Sequence, residues 1–276
     1  MKLPIMRVNP SSSHYDSMKY PLRLTLYLAA QAATCATVML VFALISTSGA
    51  LANPSLFALH EKTMPPPFSA EYDIYMGNMT LGQLRIDLRK NNSHSWTYRA
   101  RTQAKGLASL FVGGNEMTET SHLELIDDTI RPVLFERIQV TNSTNKSERA
   151  IFEWHNNSVK TSYKDRRLQH PLNKYSLDKF TLQLALMNNL ASLPERSTVA
   201  VISKAKMKKY VIIRHGTETV DTAFGRRQAV VIERLRDDAS YMIWADSRTH
   251  GIPLKIQHIK QGKMQYEVVL ASSSLF

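Results

Sequence analysis

The stretch Leu84-Arg85-Ile86-Asp87-Leu88-Arg89 alternates apolar and charged residues without a break. Side chains of a strand point to opposite faces in turn, so a period of two describes a strand with one face buried and one wet. Upstream, Tyr72, Ile74 and Met76 repeat the alternation, and Gly77-Asn78 separates the two runs. The pattern predicts a hairpin of residues 70–76 and 79–89. Downstream, strands are expected at 95–105, 115–126, 131–140, 147–155 and 158–164, with a tight turn at Asn156-Asn157, where asparagine tolerates positive φ. Strands resume at 198–203, 207–215, 217–223, 226–236, 239–246, 252–260 and 264–271. No fixed-period repeat and no low-complexity tract interrupts them.

One segment breaks the alternation. From Ser176 to Leu193, Leu177, Phe180, Leu184, Met187 and Ala191 recur at helical spacing, with Leu182, Leu186, Leu190 and Leu193 forming a second apolar row. Ser176 is the expected N-cap, with no capping box because Lys179 stands where Glu would, and Pro194 is the expected stop. A helix apolar over so much of its circumference needs burial on more than one side. The fold class that follows is mainly β (β-rich α+β): a curved antiparallel sheet or open barrel of roughly a dozen strands, with one apolar helix packed on the concave side.

Ahead of this domain lies a different kind of sequence. A short basic stretch ending at Arg23 is followed by Leu24–Ile45, almost wholly apolar and uncharged, and then by Ala50-Leu51-Ala52. Basic flank, apolar run and small-residue site in this order describe a signal peptide over residues 1–52, cut after Ala52 with Ala50 at the other small position. Met18 is an alternative start. The rival reading is an uncleaved anchor, since the run is long enough to span a bilayer, and basic residues before it place the downstream domain outside the cytoplasm either way. Residues 53–67, ending in Pro65-Pro66-Pro67, read as a stiff linker. Residues 68–276 form a single exported domain, expected in the periplasm or tethered to the inner membrane facing it.

The net charge is +12. Residues 1–52 hold Lys2, Arg7, Lys19 and Arg23 against Asp16, so the exported part keeps +9. Such a surplus favours anionic partners. The basic residues are scattered, with short clusters at Lys204-Lys206-Lys208-Lys209 and Arg166-Arg167, and a solvated basic surface accounts for them as well. The one cysteine, Cys35, lies in the apolar run, so the exported domain has no thiol nucleophile, Cys-zinc site or disulfide.

Chemistry is hard to find. No G-x-S-x-G, S-x-x-K, P-loop or G-x-G-x-x-G occurs, and the histidines of the exported part show no H-x-H or H-x-x-x-H spacing. Asp127-Asp128 and Asp237-Asp238 sit at expected turns, where turn chemistry accounts for them. Val112-Gly113-Gly114-Asn115 reads as a bend between elements. Glu71, Glu116 and Glu218 lie within strands, and alternation alone does not say which face each occupies. No catalytic residue, metal site or cofactor is expected.

Several residues in order resemble a bacterial family known as domain of unknown function 3108. They are Tyr72-Asp73-Ile74-Tyr75 with Leu81-Gly82, Gly106-Leu107, Arg131-Pro132, Asp178 entering the helix, Gly216-Thr217-Glu218-Thr219-Val220 with Thr222 and Gly225, Trp244 with Asp246, and Ile252-Pro253-Leu254-Lys255-Ile256. The resemblance covers about residues 68–271. It implies a periplasmic protein of Gram-negative bacteria and an open barrel similar to the lipoprotein carriers. It transfers no catalytic residue.

Two functional expectations follow. One is a non-catalytic carrier for an apolar or amphipathic envelope ligand such as a lipid or acyl chain, lined by Phe180, Leu184, Met187, Leu190 and Leu193. The other is a structural or protein-interaction component of the envelope. An unrecognised hydrolase is the weakest alternative. Nucleic acid is not expected as a partner, and membrane contact is expected only through an uncleaved signal segment.

Overall fold

The computed structural model describes residues 64–105, 116–127, 129–140, 145–236 and 239–276. The signal segment with Ala50 and Ala52, Cys35, the Val112–Asn115 bend, Asp128 and Asp237-Asp238 lie outside them.

Among the described residues, fifteen strands form one sheet. The first eight are β1 (Phe68–Met76), β2 (Met79–Lys90), β3 (Ser95–Ala104), β4 (Glu116–Ile126), β5 (Thr129–Val140), β6 (Asn145–Glu153), β7 (Ser158–Tyr163) and β8 (Arg166–Pro171). After them come the two-residue β9 (Ser176–Leu177) and the helix α1 (Lys179–Asn188). The chain closes with β10 (Arg196–Ser203), β11 (Lys206–Thr222), β12 (Gly225–Arg236), β13 (Ala239–Asp246), β14 (Ile252–Lys260) and β15 (Lys263–Ser273).

β1 to β8 run as one antiparallel meander and β10 to β15 as another. Pairing of β1 with β15, from Ala70 opposite Ser273 to Tyr75 opposite Glu267, fuses the two into a single curved surface. β8 and β9 are its two free ends, so the sheet is large, antiparallel and unclosed, as the alternation predicts. Four details differ from the sequence reading. The segments 207–215 and 217–223 are one strand, because Gly216 (φ 110°) absorbs a bulge that lets pairing with β12 continue. Trp154 lies not in a strand but in a 3-10 turn, Trp154–Asn156. β8 gives no alternation signal, because most of its residues are exposed and polar. Met64 and Pro65, read as linker, are buried.

The helix is shorter than its apolar pattern and starts later. Asp178, not Ser176, is the N-cap: its carboxylate accepts from Phe180 N and Thr181 N at 2.8 Å, and Thr181 Oγ1 accepts from Asp178 N at 2.9 Å. A capping box therefore exists with Thr at its third position. Ser176 is used elsewhere. Its hydroxyl accepts from Asn173 N, and its backbone enters the parallel β9–β10 pair. Asn189 closes the last turn, five residues before Pro194.

Two docking points hold α1 on the concave side. At its start, Phe180 stacks on Tyr98 of β3 (4.5 Å between centroids) and tilts against Phe135 of β5 (6.0 Å), while Ser121 of β4 donates to Asp178. At its end, Met187 meets the β13–β14 loop at Gly251, where a Cβ would lie 2.4 Å from the Met187 carbonyl oxygen. That loop is shaped by the fully buried Asp246, which accepts from Arg248 N at 2.8 Å and from Thr249 Oγ1 at 3.2 Å.

Burial holds the Asp178 carboxyl above the usual carboxylate range, outweighing its hydrogen bonds from Ser121, Phe180 and Thr181. The folded state thus binds this proton more tightly than the unfolded chain does. Stability contributed at this site is greatest at low pH and falls as pH rises above about 4. Asp178→Asn keeps an oxygen for the cap and removes the titration. In urea unfolding across pH, wild type minus Asp178→Asn should show stability falling with rising pH; a flat difference contradicts the assignment.

Gly251 combines φ +67° with the close approach to Met187, whereas Gly262 has φ +71° in open space. Gly262→Ala should cost about 1 kcal/mol and Gly251→Ala about 3 kcal/mol or more in denaturant unfolding. Equal costs would mean that the helix is not held at this point.

Candidate ligand-binding site

Cross-strand registers show how the concave face changes character. One row runs Phe68, Leu88, Tyr98, Ser121, Phe135, Ala150, Thr161, each opposite the next from β1 to β7. This row is largely apolar, and α1 lies on it. The adjacent row runs Ala70, Ile86, Ala100, Glu119, Arg137, Glu148, Tyr163, Arg166, from β1 to β8. It starts apolar and ends charged. Glu119 is 5% exposed and pairs with Lys179 at the start of the helix. Glu148 is 4% exposed and lies 3.9 Å from Arg137, whose guanidinium sits over Tyr163 at 5.8 Å.

The opposite wall continues this chemistry. Arg234, Tyr241, His258 and Tyr266 face one another across β12, β13, β14 and β15. Arg234 lies 4.2 Å over Tyr241, Tyr241 stacks on His258 at 4.5 Å, and His258 meets Tyr266 at 4.9 Å. Arg234 and Arg236 both also lie over Tyr210 of β11. Burial first, then the charges of Arg234, Lys260 and Arg236, hold His258 below its ordinary range. Burial, with Tyr241 adding to it and Arg234 opposing, holds the Tyr266 phenol above its own.

The apolar helix residues expected to line a cavity, Phe180, Leu184, Met187, Leu190 and Leu193, are all buried at 7% exposure or less. They belong to the packed core. Only Met187 borders open space, a cavity of about 30 Å³ between the helix and β12–β14, bordered by Leu182, Leu186, Ile232, Ile243 and Pro253, with Lys179, Gln183 and Arg234 among its polar lining. That is room for about one water molecule.

The larger opening lies where the two ends of the sheet approach each other. There the β10–β11 turn, with Lys204 (φ 53°) and Ala205 (φ 56°), reaches across to the other meander. Lys204 N donates to Glu148, and His170 Nε2 of β8 donates to the Ala205 carbonyl at 3.0 Å. Beside this latch is a cleft of about 460 Å³ lined by Tyr163, Arg166, Lys204, Lys206, Lys208, Lys209 and Arg236. Arg166 of one basic cluster and the four lysines of the other, which begins 38 residues further on, meet here with Arg236 of β12.

Glu71, Glu116 and Glu218 lie elsewhere. Glu71 bonds to Arg85, Glu116 to Arg101, and Glu218 accepts from the Trp244 indole at 2.7 Å. The acids of this concave row are Glu119 and Glu148, which sequence reasoning passed over. Among the described residues, no group of three or more His, Cys, Asp or Glu is placed to hold a metal ion. No helix among them is long and apolar enough to cross a membrane.

The architecture defines a β-barrel-like protein: one unclosed antiparallel sheet with a helix on its inner side. A family model described as protein of unknown function (DUF3108) matches residues 71–269, and the chain belongs to that family. The fold is similar to the crystal structure of a beta-barrel-like protein of domain of unknown function DUF1849 from Brucella abortus. The two share a TM-score of 0.51 and 10% identity, over 75% of this chain and 96% of that one. Among curated proteins, none matches the sequence.

The latch has a direct test. Glu148→Ala removes the acceptor for Lys204 N and leaves Arg137 without its carboxylate, which should cost about 2–3 kcal/mol. It should also speed hydrogen exchange at the Lys204 amide, while Glu148→Gln, which keeps an acceptor, should protect that amide better. Unchanged exchange in Glu148→Ala would show that the turn is held by other contacts.

Proposed function

We propose that the exported domain is a non-catalytic binding module of the bacterial envelope, working in the periplasm, and that its ligand is an anionic amphiphile. The observation that carries this reading is the lining of the open half of the concave side. There Lys179, Arg234 and Arg236 stand beside Phe180, Tyr210 and Tyr241 rings, next to an apolar floor. The Arg234 guanidinium, 4.2 Å over the Tyr241 ring, is ordered by that ring and suited to meet an anion, while the floor suits a short apolar group. The basic segment ahead of the apolar N-terminal run supports export.

Lipid and acyl-chain binding take a modified form. An acyl chain has no ready cavity beneath Phe180, Leu184, Leu190 and Leu193, and the groove beside Met187 holds about one water. The apolar part of a ligand therefore enters between α1 and β12–β14 by displacing the helix edge, with its anionic end at Lys179 and Arg234.

The interaction reading has its own observation. β8 is a free edge whose residues are mostly exposed, including Leu168, so another strand could pair with it. Arg166 and Arg167 at its start oppose unselective pairing of that kind. The ligand reading has the larger set of converging side chains and is preferred.

The test is organic extraction and mass spectrometry of protein purified from the periplasm. Wild type should release an anionic amphiphile in near-stoichiometric amount. Arg234→Ala and Gln183→Trp, the second placing bulk at the groove rim, should release about tenfold less. An empty wild-type extract, or the same yield from both variants, would refute the proposal.

A further inference from the structure

We propose that the cleft beside the sheet's open seam binds a phosphate-bearing group of two or more negative charges. This deepens the reading of the open side as an anion-binding surface, and rests on it. Six cationic side chains line one cleft of about 460 Å³: Arg166 of β8, Lys204 of the β10–β11 turn, Lys206, Lys208 and Lys209 of β11, and Arg236 of β12. Arg166, Lys204, Lys206 and Lys209 are exposed, and none makes a salt bridge among the described residues. The nearest inward carboxylate, Glu148, is committed to Arg137 and to the Lys204 backbone N–H.

The arrangement is a product of tertiary structure. Three separate stretches of chain converge, and the latch between Glu148, His170 and the β10–β11 turn fixes their spacing. Collecting like charges around a concave opening raises its potential and costs stability unless an anion fills it. Lysines supply point charges, the two arginines supply planar two-donor forks that match phosphate oxygens, and the Tyr163 hydroxyl adds a donor at the wall. A carboxylate brings one charge on one group. A phosphate monoester or diphosphate concentrates two or more within the reach of several of these side chains. The same group occurs on a lipid headgroup and on a free phosphate compound, and the cleft chemistry serves both.

The test titrates the exported chain with pyrophosphate, and with sulfate at matched ionic strength, by calorimetry. In parallel it measures co-sedimentation with phosphatidylcholine vesicles, with and without phosphatidic acid. Two variants, Lys206→Glu/Lys209→Glu and the milder Lys206→Gln/Lys209→Gln, are compared with Lys263→Glu, which changes charge outside the cleft lining, three strands from Arg236. One-to-one pyrophosphate binding, stronger than sulfate and about tenfold weaker in the glutamate variant with Lys263→Glu unaffected, supports the proposal with a soluble source. Binding only to vesicles carrying phosphatidic acid, lost in the same variant, supports it with a lipid source. The proposal is overturned if sulfate matches pyrophosphate, if Lys263→Glu weakens binding as much, or if neither probe binds. It is also overturned if a single-stranded oligonucleotide binds better than both. Phosphate binding with an empty periplasmic extract would remove the amphiphile reading alone, and the converse result would remove this one alone.

Discussion

The carboxylate of Asp178 is where the two layers of this molecule are joined. It is fully buried, caps α1 through two backbone N–H groups, and accepts the Ser121 hydroxyl from the middle of the sheet. A buried carboxylate without such partners would cost several kcal/mol, so the geometry that satisfies it is strongly selected. The helix can then start at one place only, over β3 to β5, with Phe180 against Tyr98. From that fixed start, ten residues carry it to Met187 and the Gly251 loop, where backbone meets backbone too closely for any side chain.

This placement divides the interior. Where the helix lies, the apolar rows of sheet and helix close on each other, and no ligand-sized space remains. Beyond its edge, the same sheet carries Glu119, Arg137, Glu148, Arg234 and the Tyr241–His258–Tyr266 stack. Charged groups on a concave face are costly when dehydrated and unpaired, and here they are paired, stacked or near the open seam. A concave surface that is sealed on one side and polar on the other suits a ligand approached from the seam better than one swallowed whole.

The unclosed sheet accounts for the seam. A full barrel would hide its edges by hydrogen bonding, but here the two meanders meet at β1 and β15 and stop short of each other at the far side. The gap is bridged by a turn rather than a strand, through Glu148, His170, Lys204 and Ala205. Closure through a turn is weaker than a ladder, so this is the side from which the interior can be reached.

Much of this was legible from local pattern. Alternation at period two located nearly every strand, because a half-buried strand writes its two environments directly into successive residues. The single long apolar segment at helical spacing marked α1 and the need to bury it on two sides. Where the signal was weak, the environment was the reason: β8 is wet on most of its surface and β9 has two residues, so neither leaves a period to read. The helix start was misplaced at Ser176 because local spacing cannot weigh two capping residues, and it was the Ser121 hydroxyl, 57 residues upstream of Asp178, that tipped the balance.

The strand period, the greasy helix and the uneven charge are properties of neighbouring residues, and the chain order alone determined them. Whether the concave side is filled or hollow, which glutamates face inward, and that Arg166, Lys206, Lys209 and Arg236 share one cleft were decided by tertiary structure. These depend on register between strands far apart in the chain, and register is set by packing across the whole sheet rather than by any segment of it.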